Sequence, residues 1–203
     1  MRTLAIDCAT EACSVALFEG DRLLAHDHRI LGRGHAEHLV PMIAALPDHG
    51  QADTILVSRG PGSFTGVRIG LATARALAFA WQAEALAYPT LALAAAMARA
   101  ENPDAPVSVA MNGGHGEWFV CDFGEDGLPE GPAVSLPPAQ AHARARHTLV
   151  AGTQAAALVA LRGHGTALNL LPDACHAPAL PTALLVADLT PDYGRPPDAR
   201  RPD

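Results

Sequence analysis

Apolar residues open the chain in three short runs, TLAIDCA, CSVALFE and RLLAHDH, the last two separated by the turn residues Gly20 and Asp21. Runs of this length between turn residues predict three strands joined as a meander. The period then lengthens: Leu39, Met42, Ile43 and Leu46 fall at helical spacing and predict a helix from about His35 to Leu46, which Pro41 should bend or divide. TILVS, residues 54–58, returns to strand, and LATARALAFA, residues 71–80, to helix. The first half therefore reads β-β-β-α-β-α, with a further helix expected from Thr90 to Arg99 after the Tyr88-Pro89 step.

ENPDAP, residues 101–106, marks a boundary between halves. Beyond it VSVAM and EWFVCDF predict an antiparallel pair around NGGHG, a polar loop that by itself fixes neither register nor turn type. After Pro137 the pattern weakens into short helices, a strand at TLVAG and Ala- and Pro-rich connections. The terminal YGRPPDARRPD reads as an extended tail, because its prolines oppose regular structure. The organisation expected is a first lobe over 1–102, a smaller one over 103–190 and a tail over 191–203.

Between the strand TILVS and the helix that follows lies RGPGSFTGVRIG, residues 59–70. Gly60 and Gly62 permit backbone conformations closed to other residues, Pro61 fixes its own φ, and Ser63 is placed to cap the helix. Such a helix mouth could receive an anion, or bring the helix close to its own sheet or to another protein. Gly66, Gly70, Ala74 and Ala78 then recur every fourth residue, flanked by Val67, Leu71 and Leu77. This stripe of small side chains suits close helix contact, and we read it as a contact for a partner subunit, the alternative being the protein's own sheet.

Composition narrows the chemistry. With 203 residues the chain can bury a full core as one compact unit or two small lobes. It has no run of roughly 18 apolar residues, and Asp7 interrupts the N-terminal run too early for a signal peptide, so a soluble cytoplasmic protein without membrane contact is expected. All fourteen basic residues are arginine, which removes lysine-dependent mechanisms such as a Schiff base or a P-loop phosphate clamp. A formal net charge of -7 argues against an autonomous nucleic-acid binder, and Arg22, Arg29, Arg33, Arg195, Arg200 and Arg201 read as solvated. Cys8, Cys13, Cys121 and Cys175 lack CxxC spacing and read as ordinary thiols. Of the histidines, His35 and His38 share a helix and His26 and His28 a strand face, but neither pair has an evident third metal ligand. Ser63 reads as an N-cap rather than a nucleophile, HExxH and GxSxG are absent, and Thr65 stands where a dinucleotide fingerprint needs its third glycine.

With these pieces in order, the chain resembles the TsaB family, partner proteins of TsaD in threonylcarbamoyladenosine modification of tRNA. The resemblance is carried by LAIDCATEACSVALF, by HAEHLVPMI, and above all by SRGPGSFTGVRIGLATARALA with YPTL after it; beyond about residue 100 it thins to GEWF and YGRPPDA. It implies an α/β fold of the actin, sugar-kinase and heat-shock (ASKHA) type, with two ribonuclease-H-like lobes of which the second is reduced. It also implies a non-catalytic subunit that activates TsaD as a heterodimer, with a TsaE-type ATPase joining the assembly, tRNA met only through that assembly, and a homodimer as an alternative pairing. No cofactor is expected on this chain alone; ATP and metal belong to the partner subunits. The partner surface carried over by resemblance comprises His35, Leu39, Met42 and Ile43 from one helix and Phe64, Val67, Gly70, Leu71 and Ala74 from the next.

One departure stands out: the family's Asp-Ala-Arg turn before a Glu-Val-Tyr strand is here Asn112, Gly113, Gly114, His115, Gly116, Glu117, Trp118 and Phe119. The rival reading is an ATP-dependent kinase-like enzyme of the same fold, because Asp7 ends the first strand where such enzymes place a carboxylate near Mg²⁺ and phosphate. Against it stand a single Asp, no lysine and no HxxxH pair, so that Asp7 reads chiefly as a strand-end residue hydrogen-bonded to the ATEA turn.

Overall fold

The structure, a computed structural model, describes residues 1–195; part of the expected tail, residues 196–203, lies outside the described residues. The first lobe comprises β1 (Arg2–Asp7), β2 (Ala12–Glu19), β3 (Arg22–Ile30), α1 (His35–Ala45), β4 (Thr54–Ser58), α2 (Phe64–Trp81), β5 (Glu84–Tyr88) and α3 (Thr90–Glu101). Its sheet has the order β3-β2-β1-β4-β5, in which β1, β2 and β3 pair antiparallel and β1, β4 and β5 parallel. The second lobe comprises β6 (Val107–Gly114), β7 (Glu117–Phe123), β8 (Val134–Leu136), α4 (Pro138–Arg144), β9 (Leu149–Ala151), α5 (Ala155–Arg162) and β10 (Thr166–Leu168).

Its sheet order, β8-β7-β6-β9-β10, repeats that of the first when β6 takes the place of β1, and the strand directions repeat as well. Two ribonuclease-H-like lobes with a reduced second one, the ASKHA architecture, are therefore built into the topology; β8, β9 and β10 have three residues each.

The molecule is layered. On the outer face of the first sheet, Leu4, Ile6, Val15, Leu17, Ile55 and Val57 pack under α1 and α2. On the inner face Ala5, Ala16, Phe18 and Leu56 join α3, which lies between the sheets and is buried along Leu91–Ala96. Ala110, Val120 and Val150 on the far side of the second sheet pack under α4 and α5. The segment from Asp173 onward leaves the second lobe and returns to the first: its 3-10 turn Ala174–Ala179 lies on α3, β1, β2 and β3, and Val186 bridges Ala87 at the edge of β5.

Several expectations change. Pro41 sits inside a continuous α1 and does not divide it. EALAY, which the pattern left without an element, is the edge strand β5: α2 ends at Gln82 in the left-handed region, and parallel pairing with β4 (Val57 opposite Ala87) then holds the chain extended. The NGGHG loop shrinks to the two residues His115 and Gly116, both at positive φ as a tight hairpin turn of the I′ kind requires, because β6 runs on to Gly114.

The small-residue stripe faces inward. A Cβ on Gly66 would fall well inside contact distance of the Cys8 carbonyl oxygen, and Ala74 is fully buried. A Cβ on Gly70 would meet Cys8 Cβ and Val57 Cγ2 at an ordinary 3.6 Å. The stripe is thus the contact of α2 with its own sheet, not the partner contact read from its spacing. Gly66→Ala should therefore destabilise by about 1–3 kcal/mol or more through overpacking. Gly70→Ala should be neutral or stabilise by up to about 1 kcal/mol through helix propensity. Urea unfolding of the two variants checks this; equal effects would contradict the inward placement.

Candidate functional site

Two regions bear on function: the cleft where the glycine-rich turn meets the second lobe, and the outer face of α1 and α2. At the cleft, the turn before α2 is held by backbone. The Ser63 N–H donates to the Ala9 carbonyl at 2.7 Å, and Ser63 Oγ accepts from the Gly66 N–H at 3.2 Å, which fulfils the capping role read from the sequence. Gly62 has no room for a Cβ because the Ala9 carbonyl occupies that space. The glycines at 62 and 66 thus serve a backbone-to-backbone approach between the β1–β2 turn and α2.

A cavity of about 370 Å³ opens beside this contact, with Thr10, Glu11, Pro61, Asn112, His115 and Arg195 in its wall. Arg195 donates to the Gly113 carbonyl and lies over the Phe119 ring, so the C-terminal segment supplies an arginine to the hairpin whose own sequence lacks the family's Asp and Arg. Asp7 is absent from the wall. It is 1% exposed, its Oδ1 accepts from the Ala9 N–H at 2.9 Å in the ATEA turn, and its Oδ2 accepts from the Tyr88 hydroxyl at 3.3 Å. Burial pushes the Asp7 carboxyl up to about 6, against the hydrogen bonds from Ala9, Ser58 and Tyr88. With both oxygens engaged beneath the surface, this carboxylate holds the end of β1 to its turn and to Tyr88.

The residues proposed for partner contact separate into two groups. Leu39, Met42 and Ile43 of α1 and Val67, Gly70, Leu71 and Ala74 of α2 all point into the core of the first lobe, where they cover the sheet. His35, 6% exposed, also turns inward: its Nε2–H is shared between the carbonyls of Thr10 at 2.9 Å and Ala12 at 3.1 Å, tying the start of α1 to the β1–β2 turn. Only Phe64 stays at the surface, 56% exposed, stacked on Tyr193 with the Arg68 guanidinium 3.5 Å above its ring. Phe64 apart, the residues that the resemblance implied for the partner surface thus form the inner faces of α1 and α2.

The outer faces carry residues the sequence reading passed over. Val40 is 55% exposed and Phe79 89% exposed, among exposed small residues Ala36, Ala44, Ala72, Ala76 and Ala80. Phe79 was recoverable: it follows Ala78 in the stripe, and a turn of about 100° per residue carries it out of the stripe's face. Arg68 and Arg75 at the border of this face are anchored by the returning segment, to the Tyr193 hydroxyl at 2.9 Å and the Leu189 carbonyl at 2.8 Å. The face is built on two adjacent helices, with the exposed Glu37, His38, Arg68 and Arg75 beside its apolar residues.

Comparison with known proteins places these features in context. A family model described as TsaD, tRNA N6-adenosine threonylcarbamoyltransferase, matches residues 29–127. The tRNA threonylcarbamoyladenosine biosynthesis protein TsaB of Escherichia coli (strain K12) is 37% identical over 131 residues, covering 62% of this chain and 56% of that protein. The protein of the same description from Haemophilus influenzae is 37% identical over 137 residues, 60% of this chain and 57% of its own length. The aligned part thus spans little more than half the length of these curated relatives. Among solved structures, YeaZ from Pseudomonas aeruginosa matches with a TM-score of 0.79 at 31% identity, covering 95% of this chain and 99% of that one.

The buried carboxyl makes a prediction. Its folded-state value lies above the ordinary 3.8, so the folded protein holds this proton more tightly, and the stability it contributes below pH 3.8 is lost as pH rises through about 6. Asp7→Asn cannot ionise and keeps an acceptor for the Ala9 N–H. Its stability relative to the parent protein should therefore improve by up to about 3 kcal/mol between roughly pH 4 and pH 7. Urea titrations at both pH values measure the difference; a gap that does not change with pH would contradict it.

Proposed function

Because the chain belongs to the TsaB family, we propose that it is a non-catalytic subunit for the N6-threonylcarbamoyladenosine modification of tRNA, active in the cytoplasm. In this reading it binds and activates a TsaD-type protein as a heterodimer, and a TsaE-type ATPase and the tRNA reach it only through the assembly. ATP and metal for the transfer reaction sit on the partners. No helix among the described residues is long and apolar enough to cross a membrane.

The observation that carries the proposal is the outer face of α1 and α2, where Val40 and Phe79 stand exposed among alanines. Large apolar side chains surrounded by small ones on two adjacent helices suit packing against another helix pair, with the aromatic ring as anchor. A second copy of the chain could use the same face in a symmetric dimer. The kinase-like alternative draws no support from Asp7, which lies sealed beneath the cleft rather than in its wall.

Light scattering of the chain mixed with the TsaD protein of its own organism should give a one-to-one complex, with no ATP turnover by the chain alone. Val40→Asp and Phe79→Asp should each weaken that complex at least about tenfold, roughly 1.4 kcal/mol, while leaving thermal unfolding unchanged. Turnover by the isolated chain, or a complex indifferent to both substitutions, would overturn the reading.

A further inference from the structure

We infer that His26, Asp173 and Cys175 form a binding site for one divalent transition-metal ion of zinc-like chemistry, which clips the returning C-terminal segment to the edge strand of the first sheet. The sequence offers His26 and His28 on one strand face without a third ligand; the fold supplies two. In the β2–β3 pairing, Ala16 stands opposite His26 and Ser14 opposite His28. Ser14 is the point to which the distant segment docks: its Oγ donates to Asp173 Oδ1 at 3.0 Å and accepts from the Ala174 N–H at 2.9 Å. Asp173 and Cys175 thereby arrive beside His26, and one ligand atom from each of the three lies within 4.8 Å of the others. Ligands of a tetrahedral zinc ion stand roughly 3.4–3.7 Å apart, so small side-chain adjustments close the site.

The chemistry of the donor set fits. An imidazole nitrogen, a carboxylate oxygen and a thiolate sulfur together suit zinc and its neighbours rather than Mg²⁺ or Ca²⁺, which take oxygen ligands. The carboxylate is already oriented: Oδ1 accepts from Ser14 Oγ and from the Cys175 N–H at 3.0 Å, which leaves Oδ2 for the ion. Cys175 Sγ lies 3.1 Å from His176 Nδ1, an outer partner for the sulfur. His28, two residues on along the same strand, has a buried Nε2 with no hydrogen-bond partner among the described residues.

The other cluster of possible ligands, Asp122, Glu130 and His147, does not invite a cation. Arg144 and Arg146 already contact Asp122 at 3.1 and 2.9 Å, and Arg146 reaches Glu130 at 2.5 Å, so its negative charge is answered by guanidinium groups. Among the described residues no arginine is paired with Asp173, whose hydrogen-bond partners there are Ser14, Cys175 and, through its own N–H, the Met97 sulfur.

The test uses the full-length chain, freed of metal with a chelator and titrated with Co²⁺ as a spectroscopic stand-in for zinc. One ion should bind per chain, with a near-ultraviolet sulfur-to-cobalt charge-transfer band, and Zn²⁺ should displace it and raise the melting temperature. Cys175→Ser should abolish the sulfur band. His26→Ala, at an exposed position, should weaken binding at least roughly tenfold, while His164→Ala should bind as the parent does. Absence of the sulfur band in the parent protein, its persistence in Cys175→Ser, or parent-like affinity in His26→Ala would overturn the assignment.

Discussion

The first lobe depends on a backbone-to-backbone approach. The carbonyls of Cys8 and Ala9 fill the space where side chains at positions 66 and 62 would stand, so the start of α2 can dock on the β1–β2 turn only because both positions are glycine. Ser63 N–H and His35 Nε2–H donate to carbonyls of the same turn, which places the starts of both helices on one support. Bringing the backbones this close drives Val67, Leu71 and Ala74 onto the sheet and leaves the opposite sides of the helices to solvent. The glycine-rich turn, which by composition alone could hold an anion, is occupied in making this contact.

Short apolar runs between turn residues made β1 to β4, β6 and β7 legible, although it takes the fold to show that β1, β2 and β4 are buried on both faces while β3 is not fully buried anywhere, and helical patterns located α1, α2 and α3. EALAY was not legible, because Glu, Ala and Leu favour helix as isolated residues and only the neighbouring parallel strand makes them extended. The three-residue strands β8 and β10 are too short to carry a period at all. Periodicity also shows that a helix has two faces without showing what each one meets. Spacing alone therefore reads Gly70, Ala74 and Leu71 as partner contacts although they lie against the sheet, and it does not single out Phe79 beside the stripe on α2 or Val40 on α1. His26, Asp173 and Cys175 are a further case: nothing local joins them, and their juxtaposition exists only because Ser14 draws the returning segment onto β2.

That segment also joins the two lobes. Between Asp173 and Arg195 it lies on β1, β2, β3, the edge of β5 and the start of α2, and ends with a guanidinium on the β6–β7 hairpin of the second lobe. A chain whose second sheet has shrunk to three-residue edge strands still holds its lobes in register through this strap and through α3. The buried Asp122, which accepts from Ser108 Oγ at 2.6 Å and from two arginines, steadies the second sheet itself.

Hydrogen–deuterium exchange of the chain, alone and mixed with the TsaD protein of its own organism, tests this account most directly. It predicts new protection confined to the peptides of α1 and α2, residues 35–45 and 64–81, whose outer faces become covered. Protection centred instead on the cleft at residues 112–116, with both helices exchanging as in the isolated chain, would contradict it.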